Sequence, residues 1–123
     1  MPIAKLRSIV LDCPDPAALA DFYAKVLGGR IKADKGGDWI DVVVDGSVKV
    51  SFQRAPGFVP PSWPRPDASQ QLHLDLDVDD MEEGQKRVLA LGATALDLDD
   101  GGGKRDFRVF ADPAGHPFCL IRS

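Results

Sequence analysis

Residues 71–92, QLHLDLDVDDMEEGQKRVLALG, contain the pattern that decides the fold. Apolar and polar residues alternate through QLHLDLDV, which predicts a strand with one wet face. Asp80 then supplies a capping carboxylate for a helix that ends at Gly92. This stretch therefore predicts a strand followed directly by a helix.

The same order occurs earlier in the chain. LRSIVLDC, residues 6–13, predicts a buried strand, and the following helix has Pro16 in its first turn and Gly28 at its end. Three strand candidates follow each helix: RIKAD, WIDVVVD and VKVSFQR in the first half, and ATALDLD, FRVFADP and HPFCLIR in the second. The sequence thus predicts an α+β fold with two tandem βαβββ modules.

A proline-rich connector separates the two modules. It contains five prolines within residues 54–69, which favour an extended chain without helix or strand. We expect one domain over residues 1–123, with module 1 at about 5–54, the linker at 55–69 and module 2 at about 70–122.

Composition excludes several functions. The net charge is −4 and the 15 Lys and Arg residues are scattered, so we expect no binding to nucleic acid. No apolar stretch approaches the ~20 residues of a membrane span, and the first residues lack a signal-peptide layout. Neither cysteine belongs to a CxxC pair, so zinc-finger spacing is absent. A cytoplasmic protein without a membrane partner is the expectation.

Three stretches resemble the glyoxalase, bleomycin-resistance protein and extradiol-dioxygenase superfamily, which has the vicinal oxygen chelate fold. They are DCPDPAALADFYAKVLGG, LHLDLDVDDMEEGQKRVLALGA and FADPAGHPFCLI, and the last is similar to the D-P-x-G-N-x-(apolar)-E-(apolar) signature. The resemblance covers nearly the whole chain and is to small actinobacterial glyoxalase-like domains. It implies that the modules form a curved, half-open mixed β-barrel around a concave ligand cavity.

The resemblance also implies where ligand-binding residues lie. Metal-dependent members place one ligand on the first strand and one on the last strand of each module. Here those positions hold Ser8, Gln53 (or Ser51, if the register shifts by two), His73 and Cys119. Hydroxyl and amide groups are poor ligands for catalytic divalent metals. We therefore expect no metal or other cofactor; a divalent metal, if bound, would use His73, Gln53 and Cys119.

Other side chains have two or three readings each. Alternation points Asp75 to the same face as His73, where it either orients the imidazole, contacts a ligand or is solvated. Trp39 is either an aromatic wall of the ligand site or a plug at the end of the sheet. Cys119 is either a reactive thiol or a small apolar residue. The loop over 99–106 is either a lid that carries Lys104 and Arg105 or a long hairpin connection.

The leading hypothesis is a glyoxalase-like small-molecule binding protein that needs no metal and sequesters a hydrophobic or aromatic ligand, such as an antibiotic. One alternative is a metal-dependent lyase, isomerase or dioxygenase that uses His73 and Gln53. Another is a metal-free enzyme with His73 as general base. The expected partners are a small molecule and a second copy of the chain, because open sheet edges favour pairing.

Overall fold

The computed structural model describes residues 2–69 and 71–122. Its helices and strands follow the order β1 Ser8–Cys13, α1 Pro16–Leu27, β2 Arg30–Ala33, β3 Trp39–Val43, β4 Lys49–Arg54, β5 Leu74–Val78, α2 Met81–Ala90, β6 Thr94–Asp97, β7 Phe107–Ala111 and β8 Pro117–Arg122. The chain divides into two compact units, one up to Phe58 and one from Val59 onwards. Each unit contains one βαβββ module, which confirms the predicted α+β duplication.

Module 1 is one open, mixed sheet with a helix packed on it. The strand order is β1-β4-β3-β2, with β1 parallel to β4 and the other pairs antiparallel. Asp15 caps α1 by accepting a hydrogen bond from the backbone N–H of Ala18 at 3.3 Å. On the sheet side of this helix, the fully buried ring of Tyr23 stacks on Phe52 with 5.5 Å between centroids.

Module 2 repeats this topology. Its strand order is β5-β8-β7-β6, again with one parallel pair, β5 with β8. Asp80 caps α2 through the backbone N–H of Glu83 at 3.1 Å. The helix is held to the sheet by Arg108 of β7, whose guanidinium donates to Gln85 and Glu82 at 2.7 Å each. Among residues 2–69 and 71–122, neither helix has the length and apolar character to cross a membrane.

Two local expectations need correction. The strand predicted from residue 71 begins at Leu74, so His73 lies immediately before it, and Leu72 is 76% exposed. Hydrogen-bond partners, and not alternation alone, determine where a strand starts. The connector, expected to lack helix, holds one 3₁₀ turn at Pro66–Ala68.

The loop between β6 and β7 is anchored instead of free. Asp100 is 5% exposed and accepts hydrogen bonds from Arg108 at 2.8 Å and from Arg122 at 2.6 Å. Its own backbone carbonyl accepts from the N–H groups of Gly103 and Arg105. The glycine-rich composition therefore marks tight turns of a hairpin connection.

Candidate functional site on the polar faces

Each sheet has one face against its own helix, and we call the opposite one its polar face. In module 2 the polar face brings three of the predicted site residues together. Asp75 lies directly opposite Cys119 in the parallel pair of β5 and β8. The His73 Nε2 atom lies 3.1 Å from an Asp75 carboxylate oxygen, and the donor atoms of all three residues lie within 4.8 Å of one another. Asp75 is thus placed to orient the imidazole, which is one of its three predicted readings.

The environment of Cys119 keeps its thiol protonated. Burial raises the pKa of Cys119, and the negative charge and hydrogen bond of Asp75 raise it further, to about 11. At neutral pH the sulfur is therefore an S–H group beside the Asp75 carboxylate. A thiol in this state is a weak nucleophile, which favours the reading of Cys119 as a small apolar residue over that of a reactive thiol.

The strand register decides which module 1 residues match this cluster. Ser8 and His73 stand at the same distance before their helix caps, so Val10 matches Asp75. Because Val10 lies opposite Ser51, the residue that matches Cys119 is Ser51, the alternative reading. Gln53 lies one row further along the polar face, between Asp12 and Trp39. Binding of a ligand by Ser8, Gln53, Trp39, His73, Asp75 and Cys119 remains a prediction.

Asp41 organises the polar face of module 1. Its carboxylate accepts hydrogen bonds from Ser51 Oγ at 2.6 Å, from Trp39 Nε1 at 2.9 Å and from Lys49 Nζ at 3.2 Å. Burial alone would raise the pKa of Asp41, but hydrogen bonds from Ser51, Trp39 and Lys49 outweigh it and hold the pKa below its usual value. The carboxylate is therefore ionised at neutral pH and holds the indole in one orientation.

Sequence reasoning missed Asp41, although a signal was present. Trp39 and Asp41 are two residues apart on one strand, and such residues share a face. An indole N–H and a carboxylate on one face of a strand are a natural donor and acceptor. Reading WIDVV for alternation would have found the pair.

A profile of the glyoxalase-like domain family matches residues 8–121. The chain belongs to this family. The membership agrees with the vicinal oxygen chelate fold that the sequence motifs indicated. No curated protein sequence matches the chain.

Solved structures share the fold of this glyoxalase-like protein at low identity. An antibiotic-binding protein, TnmS3 from Streptomyces sp. CB03234, is 22% identical, with a TM-score of 0.61 over 99% of this chain and 98% of that one. The fosfomycin resistance protein FosX from Mesorhizobium loti is 17% identical, with a TM-score of 0.71 over 98% and 92%. A glyoxalase/bleomycin resistance protein/dioxygenase family enzyme from Burkholderia phytofirmans PsJN is 16% identical, with a TM-score of 0.72 over 97% and 98%.

The donor atoms of this glyoxalase-like protein do not fit the metal that the superfamily implies. That metal takes ligands from both modules, but module 1 offers the hydroxyls of Ser8 and Ser51, and Ser51 already donates its proton to Asp41. Module 2 offers nitrogen, oxygen and sulfur from His73, Asp75 and Cys119, a set suited to a thiophilic ion such as Zn²⁺. All three donors belong to one module, so the set of ligands from both modules that the superfamily implies is incomplete.

Proposed function

We propose that this glyoxalase-like protein is a small-molecule binding protein that takes a hydrophobic or aromatic ligand on the polar face of a module without a catalytic metal. One observation carries the proposal: where the superfamily has metal ligands, module 1 has two hydroxyls, and Ser51 is engaged by Asp41. The same polar face presents the Trp39 indole, 36% exposed and fixed by its hydrogen bond to Asp41. The face is thus built for contact with an organic ligand, not for coordination of a metal.

Structural neighbours support the proposal at the level of the fold. One of them is an antibiotic-binding protein and another is a fosfomycin resistance protein. Their identities of 17% and 22% show a shared fold only. We extend these roles to this chain as part of the proposal, and expect its ligand to be an antibiotic-like organic molecule.

A thermal-shift screen of protein dialysed against EDTA tests this function. The panel contains antibiotics and planar aromatic compounds, each also tested on protein supplied with Zn²⁺, Mn²⁺, Ni²⁺ or Fe²⁺. A ligand at 100 times its Kd stabilises the folded protein by roughly 2.7 kcal/mol, which raises the Tm by several degrees. We expect at least one compound to raise the Tm equally with and without metal. Shifts that require metal would contradict the proposal.

The pairing of His73 with Asp75 at 3.1 Å favours a second function, a metal-free enzyme. A carboxylate that accepts from one imidazole nitrogen leaves the other nitrogen as a base, and general-base catalysis contributes roughly 10²–10⁴-fold. Mass spectrometry of each bound compound after overnight incubation tests this function. Chemical change that His73→Ala abolishes and His73→Gln does not restore supports the enzyme. Recovery of unchanged compound supports binding alone.

We propose that the chain forms a homodimer. The outermost strand of the module 1 sheet, β2, is exposed along all four of its residues and includes Ile31 at 48% exposure. An edge strand with unpaired backbone groups is a ready site for pairing. Sedimentation equilibrium at micromolar concentration should give twice the chain mass of 13.3 kDa, and a monomer mass would reject the dimer.

A further inference from the structure

Trp39 and Phe107 hold the same place on the two polar faces. Trp39 stands two residues before the residue opposite Ser51, and Phe107 stands two residues before the residue opposite Cys119. Since Ser51 and Cys119 match each other, the two rings match as well. Each module therefore has one aromatic ring at the start of its third strand.

In module 2 a planar cation of the chain itself, the Arg105 guanidinium, lies over the ring of Phe107. The Cζ atom of the Arg105 guanidinium lies 4.3 Å from the centroid of Phe107. The guanidinium also donates to Asp97 at 3.1 Å and to the carbonyl oxygen of Phe107 at 2.9 Å. The cation–π attraction and the ion pair with Asp97 both stabilise this arrangement. It is the one cation–π contact identified within residues 2–69 and 71–122.

In module 1 the equivalent ring has its polar atom engaged, and the Trp39 residue is 36% exposed. The Trp39 N–H donates to Asp41, so the indole offers a ligand its π face instead of a hydrogen bond. Donation to a carboxylate increases electron density in the indole, and tryptophan is the best aromatic partner for a cation. The Asp41 charge is balanced by Lys49 at 3.2 Å.

We propose that Trp39 binds a planar cationic group of the ligand, such as a protonated heteroaromatic ring or an amidine, as Phe107 binds the Arg105 guanidinium. This inference rests on the proposed function and specifies its ligand class. Asp41 is a positioning residue that fixes the indole.

Calorimetric titration with two planar tricyclic probes tests the inference. Proflavine is cationic, and anthracene-9-carboxylate is an anion of similar size. We expect proflavine to bind and the anion to bind at least tenfold more weakly. Trp39→Leu should weaken proflavine binding about fivefold or more, the loss expected for one cation–π contact, and Trp39→Phe should weaken it less. Trp63→Phe is the matched control and should leave binding unchanged.

The positioning role of Asp41 has its own readout. In the Trp63→Phe background only Trp39 fluoresces, and time-resolved anisotropy reports its local motion. Asp41→Asn keeps an acceptor for the indole N–H and should leave the anisotropy near that of the parent. Asp41→Val removes the acceptor and should increase ring motion and weaken proflavine binding together. Equal ring motion in the two variants would overturn the positioning role.

The results separate this inference from the proposed function. Equal or tighter binding of the anion, or proflavine binding that Trp39→Leu leaves unchanged, would overturn the inference. If the thermal-shift screen still finds a ligand in that case, the proposed function stands without the cationic ligand class. If neither the probes nor any panel compound binds, both fail.

Discussion

The two modules attach their helices to their sheets by different means. In module 1 the contact is apolar, with Tyr23 of α1 stacked on Phe52. In module 2 the helix also buries apolar side chains, but an ionic contact is added, with the buried Arg108 guanidinium joined to Glu82 and Asp100. Arg108 stands where module 1 has the buried Ile40, by the register of both sheets. The same βαβββ topology thus accepts an aliphatic or a guanidinium core position, provided that the charge is fully hydrogen-bonded.

The polar faces differ in a second way. In module 1 the Asp41 carboxylate holds the Trp39 indole, and in module 2 the Asp75 carboxylate holds the His73 imidazole. One face therefore presents an oriented aromatic ring, and the other presents an oriented imidazole. The duplicated fold supplies equivalent positions, and the side chains placed there set the chemistry of each half.

Removal of the Tyr23 ring should have the largest effect on stability. Tyr23→Ala deletes a fully buried ring, and we expect the free energy of unfolding to fall by about 3–5 kcal/mol because of lost burial and the cavity left behind. Urea denaturation followed by circular dichroism measures this. Tyr23→Phe keeps the ring and is the control, with a much smaller loss. Similar losses for both variants would mean that the stack contributes little.

The stability that the ion pairs of Asp100 contribute should fall in acid, whereas the stability contributed by the Tyr23–Phe52 contact should not. The hydrogen bond from Arg122 is the main cause that lowers the pKa of Asp100. Burial raises this pKa, but the hydrogen bond from Arg108 lowers it further, and the pKa is about 2. Because the pKa is lower in the folded chain, Asp100 stabilises the fold above the usual aspartate pKa of about 4, and this contribution is lost as pH falls towards 2.

Melting curves between pH 7 and pH 2 test this sign. We expect Asp100→Asn to lower the Tm by several degrees at pH 7 and to differ less from the parent near pH 2. Exposed Asp21, paired with Lys25 on the helix surface at 2.9 Å, gives the control Asp21→Asn, with a small change at every pH. A constant difference between Asp100→Asn and the parent at all pH values would contradict the assignment.

The smallest effect on stability should come from the imidazole. His73 is exposed and lies just outside β5, so His73→Ala should change the free energy of unfolding by no more than about 0.5 kcal/mol. The same variant should weaken the binding of any ligand found in the thermal-shift screen. A large fall in Tm would mean that His73 is a structural residue and not a ligand contact.

Much of the fold could be predicted because its signals are local. Alternation, the caps Asp15 and Asp80 and the left-handed Gly28 each act within a few residues, and the duplication repeats them. The matching of Ser51 instead of Gln53 to Cys119 could not be settled that way. It depends on the register between strands that are distant in sequence, and a shift of two keeps every side chain on its face.

The contacts among the candidate site residues were not predictable from the sequence. The spacing of His73 and Asp75 along an ideal strand suggests separation, but His73 lies before the strand begins, so the backbone there is free to bring the ring to the carboxylate. The loop over 99–106 was hardest, since its order comes from Arg108 and Arg122. Such long-range ion pairs leave no periodic pattern in the sequence.

Metal content after reconstitution tests the central claim most directly. Purified protein is incubated with Ni²⁺, Zn²⁺, Mn²⁺ or Fe²⁺, passed through a desalting column and measured by elemental analysis beside His73→Ala. If the chain is a metal-independent binding protein, retained metal is far below one ion per chain and equal in both proteins. Retention of about one ion per chain that disappears in His73→Ala would contradict the claim and restore a metal-dependent activity.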